Sequence, residues 1–130
     1  PDPGMALENR SLVKYKLIID DVGGWDFFQA LLDALAGVAA RHGVDIASVA
    51  IRHVLDQDRV AAAIVGVRHG GHLAAHRRAA RLRLDAADRA TLGAVLAQRR
   101  PLEGDVYALE RDREGRHGRI MKYDLGRAPA

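Results

Sequence analysis

Ala61-Ala62-Ala63-Ile64-Val65-Gly66-Val67-Arg68-His69-Gly70-Gly71-His72-Leu73-Ala74-Ala75-His76 is the stretch on which the fold turns. Seven residues nearly free of polarity, Ala61 to Val67, lead straight into Arg68, a glycine pair and a basic segment of helical spacing. That is the outline of a buried parallel strand feeding a helix N-terminus. Such a junction favours phosphate. Amides of a first helical turn lack intrahelical partners, the helix dipole places partial positive charge there, and glycines let an anion approach the main chain. Arg68 adds a fixed cationic fork. Gly66, Val67, Arg68, His69, His72 and His76 are therefore the candidate binding residues.

Upstream of the strand the pattern is helical. Pro1 to Glu8 carries two prolines and a glycine, and residues 1–10 are expected to be an irregular lead-in. From a cap at Asn9 or Ser11, apolar residues at Leu12, Tyr15, Ile18, Ile19 and Val22 keep helical spacing until Gly23 and Gly24. Asp26 opens a second helix, with Gln29 as capping-box partner and Trp25 stapling its start. Its stripe is Phe28, Leu31, Leu32, Leu35, Val38 and Ala39, and Gly43 stops it. Asp45 caps a third helix running from Ile46 to about Gln57, with Val49, Ala50 and Val54 inward.

Downstream, a helix is expected from Gly71 to Leu82, and another from Asp85, with Asp88 in its first turn, to about Arg99. Leu92, Val95 and Leu96 face inward and Pro101 closes the helix. Residues 100–130 read as a charged, extended tail anchored only by Val106, Tyr107, Leu109, Ile120, Met121 and Tyr123. The sum is five helices and one clear strand. An apolar strand wants both faces covered and a neighbour on each edge, and no other good strand is on offer. We therefore expect an α/β fold, mostly helical, of which residues 11–99 form a part, the other strands coming from a larger structure or another chain. Unpaired edges would also favour self-association.

Composition narrows the function. The 130 residues suit one domain, and with no cysteine there is neither a disulfide framework nor thiolate chemistry. No run approaches the ~18 apolar residues of a membrane span, and no signal peptide is recognisable, so a soluble cytoplasmic chain without a membrane role is expected. The net charge of +3 comes from 20 bases mixed among 17 acids, a weak footprint for nucleic acid. Arg77, Arg78, Arg81 and Arg83 can be read as a phosphate-backbone contact, but the solvent side of an outer helix explains them better, and a stacking platform is missing. Arg111, Arg113, Arg116 and Arg119 alternate with Asp112 and Glu114 as a charged terminus does. His69, His72 and His76 share a helical face, yet imidazoles without a carboxylate rarely complete a metal site, and none is assigned. Asp20, Asp21, Asp26 and Asp33 suit capping and solubility rather than acid–base work.

One family shares this order. His42-Gly43-Val44-Asp45-Ile46-Ala47-Ser48-Val49-Ala50-Ile51-Arg52-His53-Val54-Leu55-Asp56-Gln57, a linker, then Ala63-Ile64-Val65-Gly66-Val67-Arg68 and a helix resembles the C-terminal part of the aldo-keto reductases. Asn9-Arg-Ser-Leu-Val-Lys-Tyr and Gly23-Gly24-Trp25 resemble a bacterial branch of that family. The resemblance covers Leu12 to Gln98. It implies the C-terminal portion of a (β/α)8 TIM barrel, about half of the ~250 residues such a barrel needs, with Ala61 to Val67 as the last strand. It also implies NADP or NAD as cofactor and a small carbonyl compound as substrate in the parent enzyme. This chain departs from the family where Ala75 and His76 replace a common Glu-Asn pair and where His72 replaces Arg or Gln. The family's catalytic Asp, Tyr, Lys and His belong to the first half of the barrel and match no position here. The isolated chain is accordingly expected to be catalytically incomplete. The alternative from another class is a stand-alone helical interaction or nucleic-acid-binding module that uses its basic helix.

Overall fold

The computed structural model describes residue 7, residues 9–102 and residues 104–121. Tyr123 and nearly all of the lead-in at residues 1–8 lie outside them. The chain divides into two compact units, one formed by Pro1–Asp26 with Arg99–Ala130 and the other by Phe27–Gln98. Each is built from helices: α1 (Arg10–Val22), α2 (Gly24–His42), α3 (Ile46–Leu55), α4 (Gly71–Arg81), α5 (Ala86–Leu96), α6 (Val106–Arg111) and the 3-10 turn Gly118–Ile120.

The starts of α1, α3 and α5 follow the sequence because the capping side chains are present, while α5 ends at Leu96 rather than near Arg99. Asn9 Oδ1 accepts from the Leu12 amide at 3.0 Å, Asp45 Oδ1 from Ser48 at 2.7 Å and Asp85 Oδ1 from Asp88 at 2.8 Å. The last is reciprocal, since Asp88 Oδ2 accepts from the Asp85 amide at 2.9 Å and completes a capping box. Helix α2 starts at Gly24, two residues before Asp26, whose carboxylate stands in the first turn rather than at the cap. The helix ends in a Schellman turn. The Val44 amide reaches back to the Ala39 carbonyl at 3.0 Å and the Gly43 amide to Ala40 at 3.3 Å, while Gly43 sits at φ 62, where a side chain would be strained.

The second unit holds an apolar core. Leu35, Val38 and Ala39 of α2, Val49 of α3, Leu82 and Leu84 of the α4–α5 linker, and Leu92 of α5 are all buried, with Leu31, Ala34, Val44 and Ala50 against them. Burial of each large aliphatic side chain contributes about 1.5–3 kcal/mol. Helices α3 and α4 lie side by side. Val54, expected inward, is exposed, and α3 ends at Leu55, short of the expected Gln57.

The strand is not formed. Among the described residues there is no β-strand, and residues 61–67 run as irregular backbone. Ile64 is 105% exposed, Val65 37% and Val67 51%. The physical reason lies in the pairing rule itself: a strand is stabilised by ladder hydrogen bonds to a neighbour and by cover on its faces, and the described residues supply neither. The expected α/β class, with its one clear strand, thus gives way among the described residues to an arrangement of helices.

The first unit corrects the expected tail. Residues 106–111 are helical, capped by Asp105, whose Oδ1 accepts from the Ala108 amide at 2.6 Å. Ion pairs join its segments. Lys14 Nζ meets Glu110 at 2.6 Å, Arg116 meets Asp20 and Asp21 at 3.6 and 3.4 Å, and Arg100 donates to the Asp20 carbonyl at 2.8 Å. Among the described residues no single helix is long and apolar enough to cross a membrane.

Candidate functional site

The residues singled out at the end of the apolar run lie in one continuous stretch. Gly66, Val67, Arg68 and His69 are exposed on the approach to α4, and His72 and His76 stand half-buried on its first two turns. Gly70 takes the N-cap position, with no side chain capping the first turn and no acidic residue in it. The helix therefore begins with its dipole unneutralised by a carboxylate. Two first-turn amides are already used locally: His72 donates to the His69 carbonyl at 3.0 Å and Leu73 to Gly70 at 3.1 Å.

The histidines gather around that start. The rings of His69 and His72 are 3.9 Å apart between centroids, tilted by 49°, and His76 follows His72 at 6.4 Å. The Arg68 amide donates to His72 Nδ1 at 3.1 Å, folding the approach loop onto the helix. Space is left at the glycines: a Cβ at Gly66 or Gly70 would meet nothing within 4 Å, whereas one at Gly71 would press on the His69 ring at 3.2 Å. A guanidinium, three imidazoles and a helix start without a carboxylate make a donor set suited to a phosphate or other anion. Among the described residues no three metal-ligating side chains converge.

Helix α4 owes its placement to α3. Ser48, 1% exposed, donates its hydroxyl to the Ala75 carbonyl at 3.2 Å, and Ala79 is fully buried. Arg78 reaches Asp45 at 2.9 Å, so one member of the basic cluster is bound to a carboxylate within the protein. That guanidinium is the main cause that holds Asp45 down from 3.8 to about 2, against a burial that pushes it up.

Two polar clusters escaped the reading of the sequence. Asp88 is fully buried, hydrogen-bonded to His42 Nε2 at 2.7 Å and ion-paired with the Arg41 guanidinium, so it ties α5 to the C-terminal turn of α2. The helix start at Asp85, with Asp88 in its first turn, was legible, but the histidine lies 46 residues away and no local spacing announces it. In the other unit His117, 4% exposed, places Nε2 2.6 Å from Asp21 Oδ2 across 96 residues. A histidine within a charged terminus gives no local sign of burial.

The model of the group described as the Aldo/keto reductase family matches residues 2–97. No curated protein and no solved structure matches the chain.

Proposed function

We propose, from the premise that this chain belongs to the aldo/keto reductase family of oxidoreductases, that it forms the C-terminal part of a nicotinamide-dependent carbonyl reductase. In this reading Ala61 to Val67 becomes the last strand of a TIM barrel once the other strands are supplied. One observation carries it: an apolar run of exposed residues, Ile64 above all, ends directly in the cationic start of α4. Apolar backbone in water gains from joining a sheet, and in barrels of this kind phosphate sits at the loops after the final strands.

The residues that would hold the cofactor phosphate are Gly66, Val67, Arg68, His69, His72 and His76. Gly66 leaves the main chain open, Arg68 supplies a planar pair of charged donors, and the unneutralised start of α4 adds its dipole. The bound nicotinamide would supply hydride to a small carbonyl substrate. This chain's share is to bind and orient, since the family's catalytic Asp, Tyr, Lys and His match none of its positions. The departures at His72, Ala75 and His76 leave open, within this proposal, the choice between NADP and NAD.

Titration calorimetry of the assembled enzyme with NADPH tests the assignment. Loss of a charge-assisted contact to phosphate costs about 1.5–3 kcal/mol, so Arg68→Ala should raise Kd by about 10- to 100-fold. An unchanged Kd would remove Arg68 from the site.

A further inference from the structure

Most arginines of the first unit are engaged inside it. Arg116 meets Asp20 and Asp21, Arg100 donates to the Asp20 carbonyl at 2.8 Å, Arg111 reaches the Tyr107 hydroxyl, and Arg113 is engaged as well. The side chains of Arg10 and Arg119 have no ion-pair partner among the described residues, and both are exposed. They line the same cavity. Its volume is about 370 Å³ and the rest of its wall is Val13, Ile120 and Met121. The two guanidiniums come to it from distant parts of the chain, Arg10 from the first turn of α1 and Arg119 from the 3-10 turn Gly118–Ile120. That turn is well seated, since His117 and Gly118 are buried and the Met121 amide donates to the Gly118 carbonyl at 3.0 Å.

Two like charges around one hollow repel each other, and no carboxylate in the wall offsets them. Carboxylates of this unit are committed elsewhere: Asp20 to Lys16 and Arg116, Asp21 to Arg116 and His117, Glu110 to Lys14, and Asp105 to the cap of α6. The end of α1 is closed on its own account, because Asn9 Oδ1 accepts from the Leu12 amide at 3.0 Å. The charge at this cavity is therefore that of the two side chains. Its missing counter-charge must come from a ligand, and three of the five lining residues are apolar.

We propose that this cavity binds a small carboxylate with a short apolar body, Arg10 and Arg119 taking the carboxylate and Val13, Ile120 and Met121 the hydrocarbon. The volume falls within the range of small-molecule pockets, roughly 300–1,000 Å³. A guanidinium fork matches the two oxygens of a carboxylate. A single negative charge suits the site better than a phosphate dianion, since the second charge would have to shed water against apolar side chains. The site is independent of the nicotinamide role proposed above: all five of its residues belong to the unit of Pro1–Asp26 and Arg99–Ala130, whereas Gly66 to His76 belong to the other. A ligand held by both arginines bridges α1 and the 3-10 turn.

Hexanoate is the probe, added to the 130-residue chain while the NMR signals of Val13, Ile120 and Met121 are followed. Saturable shifts at these residues are expected. Acetate lacks the apolar body and hexanol lacks the charge, so each should bind at least about tenfold more weakly than hexanoate. Arg10→Gln and Arg119→Gln should each raise the hexanoate Kd by about tenfold, the size of one charge-assisted contact at a half-open site, and Arg119→Lys should recover part of that loss. Neither arginine has an ion-pair partner among the described residues, so the urea midpoint should stay where it is. The comparison with acetate and hexanol uses the unaltered chain and decides the matter whatever a variant does to folding. Absence of a saturable shift would overturn the site. Equal binding of acetate or of inorganic phosphate would reduce it to general attraction of anions, equal binding of hexanol to an apolar hollow, and an unchanged Kd in both glutamine variants would remove the arginines; each of these results contradicts the proposal.

Discussion

At the scale of single residues, two aspartates with different surroundings carry opposite lessons. Asp88 has no exposed surface and is held by a half-exposed Arg41, by His42 and by the Asp85 amide. Asp88→Ala should destabilise the protein by about 2–3 kcal/mol in urea denaturation, below the usual cost of breaking a buried pair because both partners can turn to water. Asp45 is more open, and its value of about 2 instead of 3.8 sets a pH window rather than a large energy. Its carboxyl is depressed in the folded state, so the stabilisation is complete above about pH 4 and disappears as pH falls through 2. Asp45→Asn retains the cap and loses the pairing with Arg78. Its thermal stability should therefore fall less than the wild type's between pH 4 and 2.

At the scale of elements, what could be read from the sequence divides by the range of the forces involved. Caps at Asn9, Asp45 and Asp85 and the stop at Gly43 are decided within a few residues, and the structure has them where the letters put them. The stripe through Leu35, Val38 and Ala39 was legible for the same reason. The run Ala61 to Val67 was not, because a strand is a property of a pair and apolar letters do not say whether a partner is at hand. Helix α6 was missed since charged residues hide its weak period and its anchor, Glu110 on Lys14, lies far along the chain. The candidate binding residues could be found locally, but the bond from Arg68 to His72 could not, since it depends on how the loop folds back. Ile64 gives the matching prediction. Fully exposed here, it should tolerate Ile64→Lys in the chain alone with a change below about 0.5 kcal/mol. As a barrel strand in the assembled enzyme, the same substitution should cost several kcal/mol, about 3 or more, by thermal unfolding.

At the scale of the whole molecule, the two units differ in the contacts they display. Residues 27–98 rest on a buried aliphatic cluster, which salt hardly weakens, whereas the first unit carries the ion pairs Lys14–Glu110 and Arg116 with Asp20 and Asp21. Partly exposed ion pairs are screened. At about 1 M salt, where the screening length is ~3 Å, hydrogen exchange should quicken in residues 105–121 and remain nearly constant in the core of residues 27–98. Leu92→Ala, which opens a cavity in that core, should cost about 2–4 kcal/mol.

In the function proposed above, residues 61–67 become a strand once a sheet is supplied. Amide hydrogen exchange across these residues, measured in the 130-residue chain alone and again in the assembled reductase, tests it most directly. We predict fast exchange in the first and protection by orders of magnitude in the second, as ladder hydrogen bonds form on both edges. Equally fast exchange in both would contradict it.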